Sequence, residues 1–366
     1  MHFDLLRYVR LGTRVEQTFW DMDSKEWHVT LSTGEEHQFD FVIVANGHYR
    51  KPRYPVAAGL HDWLGSGRAI HSAWYRHSTA FAHHKKVMVV GGGPSAVDIC
   101  AHLTGVTPLL LHSTPGPASE AGPTYPDDTD RYRKVGRVAE YQDGGTVLLQ
   151  DGSIESNIDL VILATGYEMS FPFLSQIASE VPSLPPPLPS KLYNSTYHVF
   201  PLALHIFPLG GNFPTTSIAF PGLPSRAAPF PLFEDQARVI VRVLQDPESL
   251  DTRACAEDIV RRVQALVHRE GRDDPLHIAN AWFRFALLEP FEYRAQLKAF
   301  LGKDWRAPDW EIELWKHKIV LRREWQEIEE SGKAEEWLKD VGVNGLEDWV
   351  ELCRRLIKRS ETSVTL

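Results

Sequence analysis

The chain has 366 residues, of which 43% are hydrophobic and 24% are charged, and its formal net charge is -9. This composition is typical of a soluble globular protein, and the length favours about two domains. The negative balance gives no electrostatic reason to expect a nucleic acid as a partner, so none is expected.

The residue types also argue against disulfides, metals and membranes. The three cysteines, Cys100, Cys255 and Cys353, lie far apart and form neither a disulfide framework nor a zinc pattern, which predicts a reducing, cytoplasmic location. The 16 histidines lack ligand spacing with acids or cysteines, so no metal site is expected. Residues 1–10 carry charges and do not resemble a signal peptide, and no apolar run of about 18 residues predicts a membrane span.

The first predicted elements are two short β segments within residues 11–31. Residues 39–44, FDFVIV, form an apolar run that predicts a buried parallel strand ending at Ala45, Asn46 and Gly47. The segment KPRYP then predicts an extended crossing and a domain junction, because its prolines disfavour helix.

Residues 85–105 predict a strand, a tight glycine turn and a helix. The turn has the pattern G-x-G-x-x-A, formed by Gly91, Gly93 and Ala96, with Pro94 and Ser95 between them. A dinucleotide phosphate requires this spacing, for the turn, for close approach to the backbone and for helix packing. The helix would present free N–H groups to the diphosphate, although an ordinary strand–helix connection without a ligand is the alternative.

Residues 108–113 predict the next strand of the same βαβ unit. Proteins that bind NAD commonly place an acid at the end of this strand to bond the ribose 2′-hydroxyl. Here residues 111–113 contain no acid, and the next acid is Glu120. The lack of an acid at the strand end favours NADP(H) over NAD as the cofactor. The side chains that could bond its 2′-phosphate are His112, Ser113, Arg131 and Lys134.

A second buried strand is predicted at residues 159–164, after a hairpin that turns at Asp151 and Gly152. This strand ends at Thr165 and Gly166 and repeats the pattern D-h-V-I-h-A-x-G of residues 40–47, where h is apolar. The repeat favours two strands that lead out of two nucleotide-binding domains, although two similar core strands remain an alternative.

The rest of the chain is predicted to be mainly helical. A proline-rich connector at residues 183–189 and a short strand near residue 218 precede a helix from about residue 231. One face of this helix is predicted to be apolar and to carry Phe233, Ala237, Ile240, Val241 and Leu244. Residues 251–366 show helical spacing, and their tryptophans are attributed to core packing rather than to a ligand cage.

The sequence resembles the flavin-containing monooxygenase family, because several motifs of that family occur in it in the same order along the chain. The residues that carry the resemblance are FDFVIVANGHYRKPRYP at 39–55, Gly67, His71 and Tyr75 of a fingerprint motif, GGGPSAVDIC at 91–100, ATGY at 164–167 and PGLPSRAAPFPLFEDQAR at 221–238. Gly65 stands where the fingerprint has phenylalanine. Tyr75 favours members that oxygenate heteroatoms over Baeyer–Villiger members.

The resemblance implies an α/β fold with two Rossmann-like dinucleotide-binding domains and a helical C-terminal extension. The discontinuous first domain would comprise residues 1–60 and 171–250 and would bind FAD. Residues 61–170 would form the NADP(H)-binding domain, and residues 251–366 the helical region. The first domain is predicted to be incomplete, since the family begins with a strand and a glycine loop that precede residue 1 of this sequence.

The resemblance also implies an activity and cofactor contacts. Members use NADPH, FAD and O2 to oxygenate a nitrogen or sulfur centre of a small molecule. Near the cofactors would lie Ala45, Asn46, Gly47, His71, Ser72, Thr165 and Gly166. His71 could instead be a structural histidine of the linker.

Without its own FAD glycine loop, the chain has three predicted outcomes. It is a poorly stable truncated chain, it is completed by a partner chain, a second copy or its own tail, or it binds NADP(H) without flavin chemistry. Gly65 and Gly67 do not replace the loop, because Ile70 stands where a small residue is needed.

Overall fold

The computed structural model of the chain describes residues 4–114 and 128–363. The strands within these residues are β1 (Val15–Asp21), β2 (Glu26–Leu31), β3 (Glu36–Phe39), β4 (Val42–Ile43), β5 (Lys51–Pro52), β6 (Ala69–His71), β7 (Lys86–Val90), β8 (Leu109–Ser113), β9 (Tyr132–Val135), β10 (Val138–Gln142), β11 (Thr146–Leu149), β12 (Ile154–Glu155), β13 (Leu160–Leu163), β14 (Tyr167–Glu168), β15 (Tyr193–Asn194), β16 (Val199–Phe200), β17 (Leu202–Ala203), β18 (Phe207–Pro208) and β19 (Ile218–Ala219). The α-helices are α1 (Leu60–Gly65), α2 (Pro94–Leu103), α3 (Pro229–Gln245), α4 (Thr252–Glu270), α5 (Pro275–Ala281), α6 (Glu289–Phe300), α7 (Asp309–Lys316), α8 (Lys318–Glu330), α9 (Ala334–Leu338) and α10 (Leu346–Ser363).

The chain divides into two compact units. Unit 1 comprises Met1–Arg53, Gly166–Ala286 and Gln296–Lys303, and unit 2 comprises Tyr54–Thr165, Leu287–Ala295 and Asp304–Leu366. Both units draw on residues 251–366, the range predicted from the sequence as a separate helical region.

Unit 2 is built on a five-stranded sheet of order β6-β13-β7-β8-β9, in which every neighbouring pair is parallel. A parallel sheet is covered on both faces, so its central strands are continuous apolar runs. Strand β7 has the sequence KVMVV and β13 has LVIL, and both lie in the core. The strand predicted for residues 159–164 is therefore confirmed.

The two faces of this sheet pack against different layers because successive side chains alternate. One face meets α2 through Val87, Val89, Leu110, Leu160, Ile162, Ala96, Ile99, Cys100 and Leu103. The other face meets α1 and the antiparallel sheet β10-β11-β12 through Met88, Leu111, Val161, Leu163, Leu60, Trp63, Tyr141, Val147 and Leu149. This small antiparallel sheet, which contains the predicted hairpin as β11 and β12, connects β9 to β13.

Unit 1 combines small sheets with helices around an aromatic core. Strands β1, β2 and β3 form an antiparallel sheet, and β4 pairs in parallel with β19. The core joins aromatic residues from the strands with residues of α4 and α5, and Trp282 within it is 1% exposed, in agreement with a packing role for this tryptophan.

The prediction of one buried strand over residues 39–44 is wrong in part. Phe39 belongs to β3, which is antiparallel to β2, and only Val42 and Ile43 form the parallel strand. Ile43 is 48% exposed. Successive side chains of a strand point to opposite faces, and the next residue, Val44, is buried at 5% exposure.

Helices α7, α8 and α10 of unit 2 pack together at the C-terminal end of the chain. The carboxylate of Glu324 on α8 is buried and accepts from Arg359 on α10, and Arg354 on α10 donates to Glu313 on α7 over 2.9 Å. The prediction that residues 251–366 are mainly helical is confirmed. None of the described helices combines the length and the apolar character that crossing a bilayer requires.

Candidate functional site

The glycine loop of unit 2 follows β7, the strand at which the order of strands in the sheet reverses. After β7 the chain passes to β8 and β9 on one side, and β13 and β6 lie on the other side. Ligands of such open sheets bind at the carboxyl ends of the strands, at this switch point. The topology therefore predicts that ligand contacts come from the residues that follow β7, β8 and β13.

Gly91 fits a space that accepts no side chain. Its φ is +144°, and a Cβ on it would lie 2.2 Å from the carbonyl oxygen of Ala164, which follows β13. Its N–H donates to the carbonyl of Ser113 at the end of β8, over 3.0 Å. The turn is thus held between the ends of two neighbouring strands, and only glycine fits there.

Gly93 is different, because a Cβ on it would meet nothing within 4 Å. It is the N-cap of α2, and no side chain of the described residues caps this helix. Pro94 is the first helical residue, Ser95 is exposed, and Ala96 is buried against the sheet. An open, uncapped helix start with free space beside it suits an anion such as a diphosphate.

His112 holds the loop from inside the protein. It is 0% exposed, its Nε2 lies 2.8 Å from the Gly91 carbonyl oxygen, and its Nδ1 lies 2.7 Å from the Tyr132 hydroxyl. A carbonyl only accepts, so Nε2 carries the proton and Nδ1 accepts from Tyr132. Burial lowers the pKa of His112, which keeps this neutral tautomer at neutral pH.

The structure gives His112 and Ser113 different roles from the predicted phosphate contact. Ser113 is 3% exposed, and its hydroxyl donates to the carbonyl of Gly136 over 2.9 Å. Both side chains are therefore engaged in holding the loop and β8. Strand alternation could have shown this for His112, since it shares a sheet face with the buried Leu110.

The other two candidates for a 2′-phosphate lie at opposite ends of β9. Arg131 precedes β9, at the amino end, whereas Lys134 is near the carboxyl end where ligands bind. Lys134 is exposed, and it is the candidate that the topology favours. Glu120, the next acid in the sequence, lies outside the described residues.

His71 is the last residue of β6, at the outer edge of the sheet, and Ser72 follows it. His71 is 0% exposed, its Nδ1 accepts from the N–H of Ala73 over 3.0 Å, and its ring meets Tyr54 edge-on at 5.6 Å. Ser72 is partly buried, and its carbonyl accepts from Tyr75 over 3.1 Å. These contacts support the structural alternative for His71, as the cap of the turn Ser72–Trp74.

The remaining predicted residues follow other strand ends. Thr165 comes directly after Ala164 in unit 2, beside the glycine loop, and Gly166 in unit 1 accepts at its carbonyl from the Arg53 N–H over 2.9 Å. Ala45, Asn46 and Gly47 follow β4 in unit 1 and are exposed. Unit 2 thus brings together Gly91, Gly93, Pro94, Ser95, Ala96, Ser113 and Thr165 at one edge of its sheet.

Comparison with known proteins points in the same direction. The family model described as flavin-binding monooxygenase-like matches residues 1–117 and 133–281. A thiol-specific monooxygenase of Saccharomyces cerevisiae is 32% identical over 66% of this chain and 55% of its own length. A flavin-containing monooxygenase of Arabidopsis thaliana, FMO GS-OX-like 2, is 28% identical over 87% of this chain and 63% of its own length.

A solved structure resembles this chain over a similar range. It is the S-allyl-L-cysteine S-oxygenase of Allium sativum, with a TM-score of 0.66 and 25% identity over 87% of this chain and 66% of that chain. The chain spans less than two thirds of the length of the two curated relatives above.

Proposed function

Because the chain belongs to the flavin-binding monooxygenase-like family, we propose that it serves in the NADPH- and O2-dependent oxygenation of a nitrogen or sulfur centre of a small molecule. The observation that carries this proposal is the glycine loop of unit 2. Its two glycines have distinct roles, one allowing the turn and the other leaving room for a ligand at the helix start.

The residues of unit 2 fit a dinucleotide diphosphate. The N–H of Ser95 and the open side of Gly93 would face the phosphate oxygens, and the positive end of α2 favours their charge. Lys134 would supply a positive charge to a 2′-phosphate, which is the group that distinguishes NADP(H) from NAD(H). The work of these residues is to bind and orient the nicotinamide cofactor.

The fit to FAD is less complete in the described residues. Unit 1 contains, within them, no second strand, glycine loop and helix of the kind found in unit 2. The backbone of Ala45 to Gly47 is exposed, and a Cβ on Gly47 would meet nothing within 4 Å, so this strand end offers space to a cofactor. A bound flavin would supply hydride acceptance and oxygen activation.

The proposed substrate is a small molecule with a soft nucleophilic atom. The relatives named above as a thiol-specific monooxygenase and an S-oxygenase act on sulfur by their descriptions, which places sulfur first in the proposal. Cytoplasmic location is part of the same proposal, because the three cysteines are all free and two of them are buried.

A partner for unit 1 is also proposed, either a second copy of this chain or a completing chain. Strand β4 pairs with β19 alone in the described part of the molecule, and a strand edge presents backbone N–H and C=O groups with which another strand can pair. Light scattering after size-exclusion chromatography tests this, since a monomer at all concentrations contradicts a second copy.

The test of the function is an oxygenation assay. The purified chain is supplied with FAD, NADPH, isotopically labelled dioxygen and either a dialkyl sulfide or a tertiary amine. We expect NADPH oxidation coupled to a sulfoxide or N-oxide that carries the labelled atom. NADPH binding without any labelled product would instead support an NADP(H)-binding protein without flavin chemistry.

A further inference from the structure

Two arginines of unit 1 are held side by side by the backbone. The N–H of Ser225 donates to the carbonyl of Phe283 over 2.7 Å, and the N–H of Phe285 donates to the carbonyl of Ser225 over 3.4 Å. These bonds flank Arg284 and bridge it to Ser225. Arg226, the next residue after Ser225, is therefore placed beside Arg284.

Neither of these guanidinium groups has a hydrogen-bond or ion-pair partner among the described residues. The carboxylate that attracts them, Glu270, is engaged at 3.0 Å by Arg269 and at 3.0 Å by the ring of His277. A third guanidinium, that of Arg53, also acts on Arg284 and adds to the positive charge there. Positive charge thus exceeds negative charge around Arg226 and Arg284.

The protein around Arg226 and Arg284 makes this excess of positive charge energetically unfavourable. Both side chains reach solvent, yet desolvation by the protein around them lowers the pKa of each guanidinium, and neighbouring arginines lower it further. Protein atoms therefore surround part of each guanidinium group, although both residues are exposed. Like charges held together in partly desolvated surroundings repel each other, and a bound anion offsets this repulsion.

The backbone at Arg226 supports a functional reason for this arrangement. Its φ is +60°, in the left-handed region that residues other than glycine rarely adopt. Strain of this kind persists where the surrounding structure enforces it, and it is concentrated at ligand sites. The residue before it, Ser225, is fixed by two backbone bonds to the 283–285 segment.

We propose that Arg226 and Arg284 form a binding site for an oxyanion, the carboxylate or phosphate group of a small molecule. Guanidinium groups match such groups because their planar N–H donors bond two oxygens at once. The site uses none of the residues of the glycine loop. A carboxylate would come from an organic acid or an amino acid, and a phosphate from a nucleotide.

Calorimetric titration of the whole chain with succinate and with inorganic pyrophosphate tests the proposal. We expect Arg226→Gln and Arg284→Gln each to weaken binding of at least one probe by about tenfold, the effect of one lost charged hydrogen bond. Arg253→Gln is the matched control, since Arg253 lies in the same unit with a side chain that is 92% exposed. It removes the same charge and is expected to change neither affinity.

The probes also identify the source of the anion. Weaker succinate binding alone indicates a carboxylate ligand, and weaker pyrophosphate binding alone indicates a phosphate ligand. The pyrophosphate titrations are repeated in a Gly93→Val background, so that phosphate bound at the glycine loop is counted separately. Arg226→Lys and Arg284→Lys, which keep the charge but lose the planar donors, are expected to retain part of the affinity.

The proposal is overturned if the wild-type chain binds neither probe, or if Arg253→Gln weakens binding as much as the two test variants. NADPH affinity is measured in parallel and is expected to stay unchanged in both variants, so failure here is distinguishable from failure of the proposed function. Thermal unfolding identifies any variant that does not fold, and the lysine variants then replace it.

Discussion

At the scale of single residues, the two glycines of the loop have different surroundings, in line with the different roles that the sequence pattern predicts for them. Gly91 is required by the fold, since any Cβ there would meet the Ala164 carbonyl, whereas Gly93 has open space beside it. A substitution at Gly91 therefore tests folding, and one at Gly93 tests ligand binding.

We expect Gly93→Val to abolish NADPH binding with little change in stability. The valine side chain would occupy the space next to the α2 N-terminus without meeting protein atoms, and it would displace a diphosphate. Fluorescence titration with NADPH measures the affinity, for which we expect a loss of at least about hundredfold, the value of two charge-assisted bonds.

The matched control for this variant is Gly65→Val, at another unobstructed glycine of unit 2, and it should bind NADPH as the wild type does. Gly91→Ala should instead lower the unfolding temperature, because its φ of +144° and the 2.2 Å approach exclude a methyl group. Unchanged NADPH affinity in Gly93→Val would remove the basis of the proposed function.

Buried histidines predict how stability depends on pH. Burial lowers the pKa of His198 to about 4, and the unfolded value is about 6.5. Between these values the unfolded chain binds more protons than the folded one, so the free energy of unfolding decreases as pH falls through this window. Below about pH 4 this residue no longer affects how the free energy of unfolding changes with pH.

Denaturant unfolding at a series of pH values measures this effect. A plot of the free energy of unfolding against pH should be less steep in His198→Gln between pH 6.5 and about 4. The slope should decrease by up to roughly 1.4 kcal/mol per pH unit, which corresponds to one proton. Equal slopes in the wild type and His198→Gln would show that this histidine is not buried in its neutral form.

At the scale of elements, the apolar pattern located helices better than it identified their buried faces. Helix α3 begins at Pro229, close to the predicted start. Ile240 is buried as predicted, but Phe233, Val241 and Leu244 are between 41% and 52% exposed. The core face instead carries Leu232, Gln236, Val239 and Val243, because the neighbouring elements of unit 1 decide which stripe is covered.

The contact between α8 and α10 depends on one buried carboxylate. Glu324 is 2% exposed, and it accepts hydrogen bonds from Arg323 and Arg359. We expect Glu324→Gln to lower the free energy of unfolding by about 1.5 kcal/mol, because a neutral amide replaces the charged acceptor of two guanidinium groups that themselves reach solvent. Chemical denaturation followed by circular dichroism measures the loss.

The comparison for this variant is an ion pair that is open to solvent. Glu257 pairs with Arg253 at 3.5 Å, and the two side chains are 59% and 92% exposed. Glu257→Gln should not change stability measurably, since exposed pairs contribute little. Equal effects of the two substitutions would show that α8 and α10 do not depend on the buried pair.

At the scale of the whole molecule, a ligand that binds only the folded chain must stabilise it. NADPH at about one hundred times its dissociation constant should raise the free energy of unfolding by about 2.7 kcal/mol. NADH should raise it less at equal concentration, because it lacks the 2′-phosphate for which Lys134 is the proposed partner. Thermal unfolding with each cofactor measures the difference.

Lys134→Gln should reduce the advantage of NADPH over NADH and leave stabilisation by NADH as it was. Arg131→Gln is the control, since Arg131 lies at the amino end of β9 and is expected to have no part in cofactor choice. If NADH stabilises the wild-type chain as strongly as NADPH, the proposed cofactor preference is contradicted.

The sequence by itself determined the glycine loop, the parallel strands on either side of it and the family, because each rests on a local pattern. The G-x-G-x-x-A spacing, the apolar runs of β7 and β13 and the helical periodicity of the C-terminal region need no knowledge of distant residues. The domain boundaries and the cofactor contacts inferred from the resemblance stay predictions.

Tertiary structure alone decided how the side chains near the loop are used. His112 and Ser113 follow the pattern of phosphate ligands in sequence, but β9 and Gly136 approach them in the fold and engage them as supports. Arg226 and Arg284 are 58 residues apart and become neighbours only through the bonds of Ser225. Hydrogen bonds and charges act between groups that are close in space, and a sequence pattern records only neighbours along the chain.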